Sequence, residues 1–138
     1  MASDKISMDE FPNFIGLGVK TVPITKENTV SIPDTFLERL LKTGSGKVYI
    51  VDGHDKEILI LPETVYKKIG KDKNYRRILA VGEKKFNGAV PYELSESQNF
   101  LTLPKLFRAK EAEIVPRLQK YFSIGIPKEV KPFETFDL

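Results

Sequence analysis

The sequence predicts a mixed α+β domain made of two pseudo-symmetric halves that share one core. Three observations predict it. The order strand, polar loop, strand, proline-started helix, hairpin and second proline occurs twice. Val30-Ser31-Ile32-Pro33 lies over Leu101-Thr102-Leu103-Pro104, with Phe36 over Phe107 at the same offset; Leu61-Pro62 lies over Ile126-Pro127, with six fewer residues between the prolines of the second copy. Finally, each copy is only about 50 residues long, too short to bury a core alone. Within 138 residues the two copies must intertwine.

Residues 1–13 are polar and predict a loose terminus. The alternating run from Val19 to Ile24 predicts a strand, and Pro23 marks it as an edge or a bulge. Thr25-Lys26-Glu27-Asn28 is a polar loop before a second strand, Val30–Ile32, so the two strands predict a hairpin. Pro33 suits the first turn of a helix, where its missing N–H costs nothing. Phe36, Leu37, Leu40 and Leu41 then share one helical face. Gly44-Ser45-Gly46 stops that helix. Lys47–Val51 and Ile58–Leu61 predict a hairpin around Asp52–Glu57, with Gly53 at the turn.

Pro62 opens a short helix with Val65 and Ile69 inward and Gly70 as its stop. A basic linker helix follows, with Tyr75, Ile78 and Leu79 as its apolar stripe, ending near Gly82. The grammar then restarts with a strand at Ala89–Leu94, a loop at Ser95–Asn99 and a strand at Phe100–Leu103. Pro104 predicts a helix carrying Leu106 and Phe107. Ala112–Pro116 and Tyr121–Ile126 predict a hairpin around Arg117–Lys120, and Pro127 opens the last element. The domain organisation is a terminus at 1–13, a first half with linker helix at 14–82, a second half at 83–130, and a tail at 131–138.

Composition narrows the function. Hydrophobic content is 41% and charged content 30%, which fits a folded protein that does not live in lipid. No apolar run reaches the about 18 residues that a membrane span needs. The N-terminus lacks the basic and apolar regions of a signal peptide, so a cytoplasmic location is expected. There is no cysteine, which excludes disulfides, thiol nucleophiles and Cys-ligated zinc. The one histidine, His54, sits in a hairpin turn between two aspartates, and no second histidine completes a nucleophile–base pair or a His-rich metal site. No enzyme, cofactor or metal is expected. Gly44-Ser45-Gly46-Lys47 is no phosphate loop, because it lacks the upstream glycine and precedes a strand.

The net charge of +3 is unevenly placed. Residues 1–70 carry nine Lys/Arg against ten Asp/Glu, and residues 71–138 carry thirteen against nine. A basic second half suits a polyanionic partner, although a charge run is also what a solvated linker helix shows.

The order of elements resembles the MraZ family of the AbrB-like (SpoVT-AbrB) superfamily. The resemblance rests on Phe14-Ile15-Gly16, Val30–Pro33, Leu103-Pro104, the stretch from Ile58 to Ile69 and the stretch from Tyr121 to Val130. It spans residues 14–130. The resemblance implies a duplicated swapped-hairpin β-barrel with short helices. It also implies assembly into rings and binding to repeated DNA elements as a transcriptional regulator on the nucleoid. The family hallmark is Asp-x-x-x-Arg in the loop before each Val-x-Ile-Pro-like strand. Here Thr25 and Thr29 hold those positions in the first loop, and Glu96 and Phe100 hold them in the second. Both arginines are missing.

The expected partners are double-stranded DNA and further copies of the same chain, with no membrane. The candidate DNA-contacting residues are Lys20, Lys26, Asn28, Thr29, Arg76, Arg77, Gln98 and Asn99. Lysine and arginine would meet phosphates, and the amides would read base edges. Asn28 and Asn99 have a plainer reading, since asparagine is favoured in turns for its backbone tolerance. An alternative function follows from the missing arginines: an assembly or protein-interaction module that has lost DNA binding. A third reading makes the tail Lys131–Leu138 a toxin-blocking segment, but AbrB antitoxins usually carry one copy rather than two.

Overall fold

β-Branched and aromatic residues fill the strand stretches of this chain, and prolines and glycines bound them, so local preference and fold agree. The structure is a computed structural model. It describes residues 13–42, 45–53, 56–72, 74, 77, 79, 81–117 and 120–126. Eight strands are described: β1 (Lys20–Pro23), β2 (Thr29–Ser31), β3 (Lys47–Asp52), β4 (Glu57–Pro62), β5 (Val90–Glu93), β6 (Phe100–Thr102), β7 (Glu111–Arg117) and β8 (Tyr121–Gly125). With them are three short helices among the described residues, α1 (Asp34–Leu41), α2 (Glu63–Gly70) and α3 (Glu83–Asn87). Most residues of the terminus at 1–13, His54, Arg76, the element after Pro127 and the tail at 131–138 lie outside the described residues.

Pro33 and Pro62 act one position earlier than expected, as the capping residues of α1 and α2 in extended conformation. The inward helix faces are as the spacing predicts: Phe36, Leu37 and Leu40 on α1, and Val65 and Ile69 on α2.

Six strands form one antiparallel sheet in the order β1-β7-β8-β4-β3-β5, and β2 and β6 form a separate two-stranded ribbon. Exchanging β1, β2, β3 and β4 with β5, β6, β7 and β8 turns this order into its own reverse. Strands early in the chain therefore find partners late in it: β1 lies on β7, and β4 on β8. The middle of the two-stranded ribbon is the pair Val30↔Leu101, both fully buried.

Alternation along the strands divides the apolar side chains between two faces. One face carries Val48, Ile50, Ile58, Ile60, Ile114, Phe122 and Ile124, covered by the β2–β6 ribbon and α1. Phe14 enters this core from the segment before β1. Its ring lies 5.9 Å from Phe36 and 5.5 Å from Phe122, and Arg39 holds the segment by donating to the carbonyls of Asn13 and Ile15. The other face carries Val51, Leu59 and Leu61 under α2 and α3. There Tyr49, Tyr66 and Phe86 stack in series, with centroids 4.1 and 4.6 Å apart.

Four expectations need correction. The sheet is not closed into a barrel: β1 and β5 stand at its two ends, unpaired with each other. Ile24 N donates to Lys110 O at 2.8 Å, so alternation turns the backbones of Thr21 and Pro23 outward. Leu94 N donates to Gly46 O at 2.9 Å, which likewise turns Pro91 and Glu93 outward. Each edge thus carries a proline where a further strand would need an N–H. Second, β1 and β2 are not a hairpin. Beyond the shared turn, Ile24 N goes to Lys110 O and Ile32 N to Asn99 O, so the strands part to different sheets.

Third, Pro104 starts no helix. Thirteen residues, Asp34–Gly46, separate Pro33 from β3, but only six, Lys105–Lys110, separate Pro104 from β7. Six residues cannot make a helix and also return to the sheet. The chain instead makes a tight turn, Ala109 N to Phe107 O at 2.7 Å, with Phe107 buried. Fourth, the end near Gly82 is followed by α3, which buries Phe86. The register is also off by one from the sequence overlay: Tyr49 faces Leu61 where Glu113 faces Gly125.

Candidate nucleic-acid interface

The ribbon positions the two polar loops. Val30 and Leu101 point into the core, so their neighbours Thr29, Ser31, Phe100 and Thr102 point away from it. Phe100 is 44% exposed, so it is not a core residue. Because β2 and β6 run antiparallel, the loops sit at opposite ends of the ribbon. Leu103 N donates to Asn28 O at 2.8 Å and Ile32 N to Asn99 O at 2.7 Å, which fixes both loop ends to the opposite strand. Four residues of strand rise separate the two ends, about 13 Å.

The first loop is closed by threonine. Thr25 N donates to Thr29 O at 3.0 Å, and the two hydroxyls lie 2.6 Å apart. Asn28 adopts φ 64°, the left-handed region that few residues other than glycine and asparagine enter. Its Nδ2 donates to the carbonyls of Leu103 at 3.2 Å and Lys105 at 3.0 Å, and its buried Oδ1 has no partner among the described residues. The amide that was a candidate for reading bases is therefore spent on holding the loop to the segment after β6.

The second loop is one residue longer and closes through serine. Ser95 N donates to Gln98 O and Gln98 N to Ser95 O, both at 3.1 Å, and Ser95 Oγ also accepts from Gln98 N. Gln98 is exposed, with its Nε2 3.4 Å from the Tyr92 hydroxyl. Asn99 is half-buried, and its carbonyl is taken by Ile32.

The other candidates are spread out. Lys26 is exposed on the first loop. Lys20 is exposed at the far end of β1, about 13 Å from Ile24 by strand rise. Arg77 is exposed in the stretch between α2 and α3, two residues before Leu79, which belongs to the core on the opposite face of the sheet from the ribbon. Lys85 of α3 is bound, donating to Gly53 O at 3.2 Å and lying 3.7 Å from Asp52. Lys105 reaches the same carboxylate at 2.5 Å. Its ammonium holds the Asp52 carboxyl below the usual carboxylate range. This pins the segment after Pro104 to the end of β3.

Two cations escaped the sequence reading. Arg108 and Lys110 are exposed in the six-residue stretch that runs along the first loop, tied to it at Ile24 and Asn28. The signal was the short count between Pro104 and β7, but only the pairing of β1 with β7 shows which loop the stretch meets. Among the described residues no group of His, Asp and Glu could hold a metal ion, and no helix is long and apolar enough to cross a membrane. The chain matches no protein-family model and no curated protein sequence.

Proposed function

We propose that this chain is a DNA-binding transcriptional regulator of the MraZ type, a duplicated swapped-hairpin unit that assembles into a ring. One observation carries the reading: an exposed two-stranded ribbon has a polar loop at each end, about 13 Å apart. The major groove of B-DNA is about 12 Å wide and admits a two-stranded ribbon. The hydroxyls of Thr29, Ser31 and Thr102 suit base edges or phosphates, and the Phe100 ring suits a thymine methyl. The charge of +3 favours a polyanion. A ring would present several ribbons to repeated DNA elements, so weak single contacts would sum to useful avidity. This role needs no catalytic step and belongs in the cytoplasm, on the nucleoid.

The test is a gel shift on duplexes with short direct repeats across a range of salt. Affinity should fall steeply as salt rises. Absence of retardation on every duplex at low salt would remove the reading. Phe100 favours a second one, an assembly or protein-interaction module. An exposed aromatic ring at the start of β6, with no arginine in either loop, suits a protein contact. That module would form the same oligomer without DNA. Sedimentation showing a monomer would remove the ring from both readings.

A further inference from the structure

The two loops hold equivalent places at the ends of the ribbon but differ in charge. Val19–Val30, which contains the first loop, carries Lys20 and Lys26 against Glu27. Ala89–Phe100, which contains the second, carries Glu93 and Glu96 and no base at all. The segments that run beside them widen the difference. Beside the first loop lies Lys105–Lys110, where Arg108 sits at the apex of the turn closed by Ala109 N and Phe107 O. That turn is held by the buried Phe107 ring, by Asn28 on the Lys105 carbonyl and by Asp52 on the Lys105 ammonium. Beside the second loop lies Gly46, and the next base along, Lys47, is turned to Glu63 at 3.7 Å and to the Tyr49 ring. Lys26, Arg108 and Lys110 form no ion pair among the described residues.

We infer that Lys26, Arg108 and Lys110 are the phosphate-contacting surface of this chain, at the first loop alone. The inference rests on the DNA-binding reading. The arginine missing from the first loop is replaced in space by Arg108, carried on a stretch made short enough to stand beside it. The second loop, acidic and without a substitute, does not approach the backbone of the duplex. Each chain then grips DNA on one side of its ribbon, and the two halves of one fold do different work.

The probe is a fluorescein-labelled random-sequence duplex followed by anisotropy, because phosphate contacts are indifferent to sequence. R108A/K110A changes two exposed side chains and should leave the far-ultraviolet spectrum unaltered. The slope of log affinity against log salt should become shallower by about 2. Between about 50 and 200 mM salt the loss of affinity should shrink by about tenfold. K26A should take a further slope of about 1. S97A, in the second loop, should keep the wild-type slope. A wild-type slope in R108A/K110A, or a shallower one in S97A, overturns the inference while DNA binding stands. Failure of the wild-type chain to bind the duplex removes the DNA-binding reading itself.

Discussion

The hydroxyls of Thr25 and Thr29 lie 2.6 Å apart and close the first loop at its mouth, with Thr29 N also donating to Thr25 Oγ1. In the family proposed for this chain, these two places hold an aspartate and an arginine. A neutral pair keeps the loop closed and removes the fixed cation. Thr29→Arg should therefore raise duplex affinity at low salt and steepen the salt dependence by about one unit of slope. Equal anisotropy titrations for the two proteins would show that this loop faces away from DNA.

Asn28 serves as a clamp between the halves. Asn28→Gly keeps the left-handed backbone but leaves the carbonyls of Leu103 and Lys105 without their donor. A loss of about 1–3 kcal/mol is expected. Asn28→Ala adds about 1–2 kcal/mol of backbone strain. Urea denaturation should rank the stabilities wild type, then glycine, then alanine. Equal stability of the two variants would mean that φ at this residue carries no cost.

The ribbon has three residues per strand, so its buried centre matters more than its length suggests. Leu101→Ala removes a fully buried side chain facing Val30 and should cost about 2–5 kcal/mol. Loosening the ribbon should also speed amide exchange at Ile32 and Leu103, the two N–H groups that tie the loop ends. Unchanged exchange at both would show that the loops are held without the ribbon.

Pro23 and Pro91 sit at outward backbone positions on the two sheet edges. Replacing both with threonine restores an N–H on each edge and favours strand pairing between molecules. Light scattering of concentrated protein should rise in the double variant, with little change in the wild type. A double variant as clear as the wild type would mean that twist or side chains, rather than prolines, guard the edges.

Asp52 couples the segment beside the first loop to acid conditions. Its folded pKa is depressed below the usual value of about 3.9. The stability it adds is thus present above that value and is lost as pH falls through the folded pKa. The side chain is half exposed, so Asp52→Asn should cost only about 0.2–1 kcal/mol at neutral pH. The gap between variant and wild type should close below about pH 4. A gap that persists in acid would assign the effect to packing rather than to charge.

The sequence makes most elements legible, because the strand stretches are bounded by prolines and glycines and the inward faces of α1 and α2 follow helical spacing. What it hid was long-range. Lys20–Pro23 looks like half of a hairpin until its partner, Glu111–Ile114, is known. Pro104 announces a helix by the same rule as Pro33, and only the six residues left before β7 deny it. The site divides in the same way. The polar loops are visible as turns, but the clamp at Asn28 and the approach of Arg108 and Lys110 depend on contacts between residues about 80 apart in sequence.

The strand order has a consequence for how the protein is made. β4 holds a run of four apolar residues, Ile58–Leu61, and its neighbour β8 follows it in the chain by about 60 residues. β1 likewise waits until Ile114 has emerged. β3 can pair with β4 and β5 early, but the sheet joins across its middle only once β7 and β8 have emerged. Until then one edge of β4 and its apolar run are uncovered, the kind of surface that chaperones bind and that neighbouring nascent chains can capture. A slowed ribosome would lengthen that exposure, which makes yield in the cell a matter of how quickly the second half follows the first.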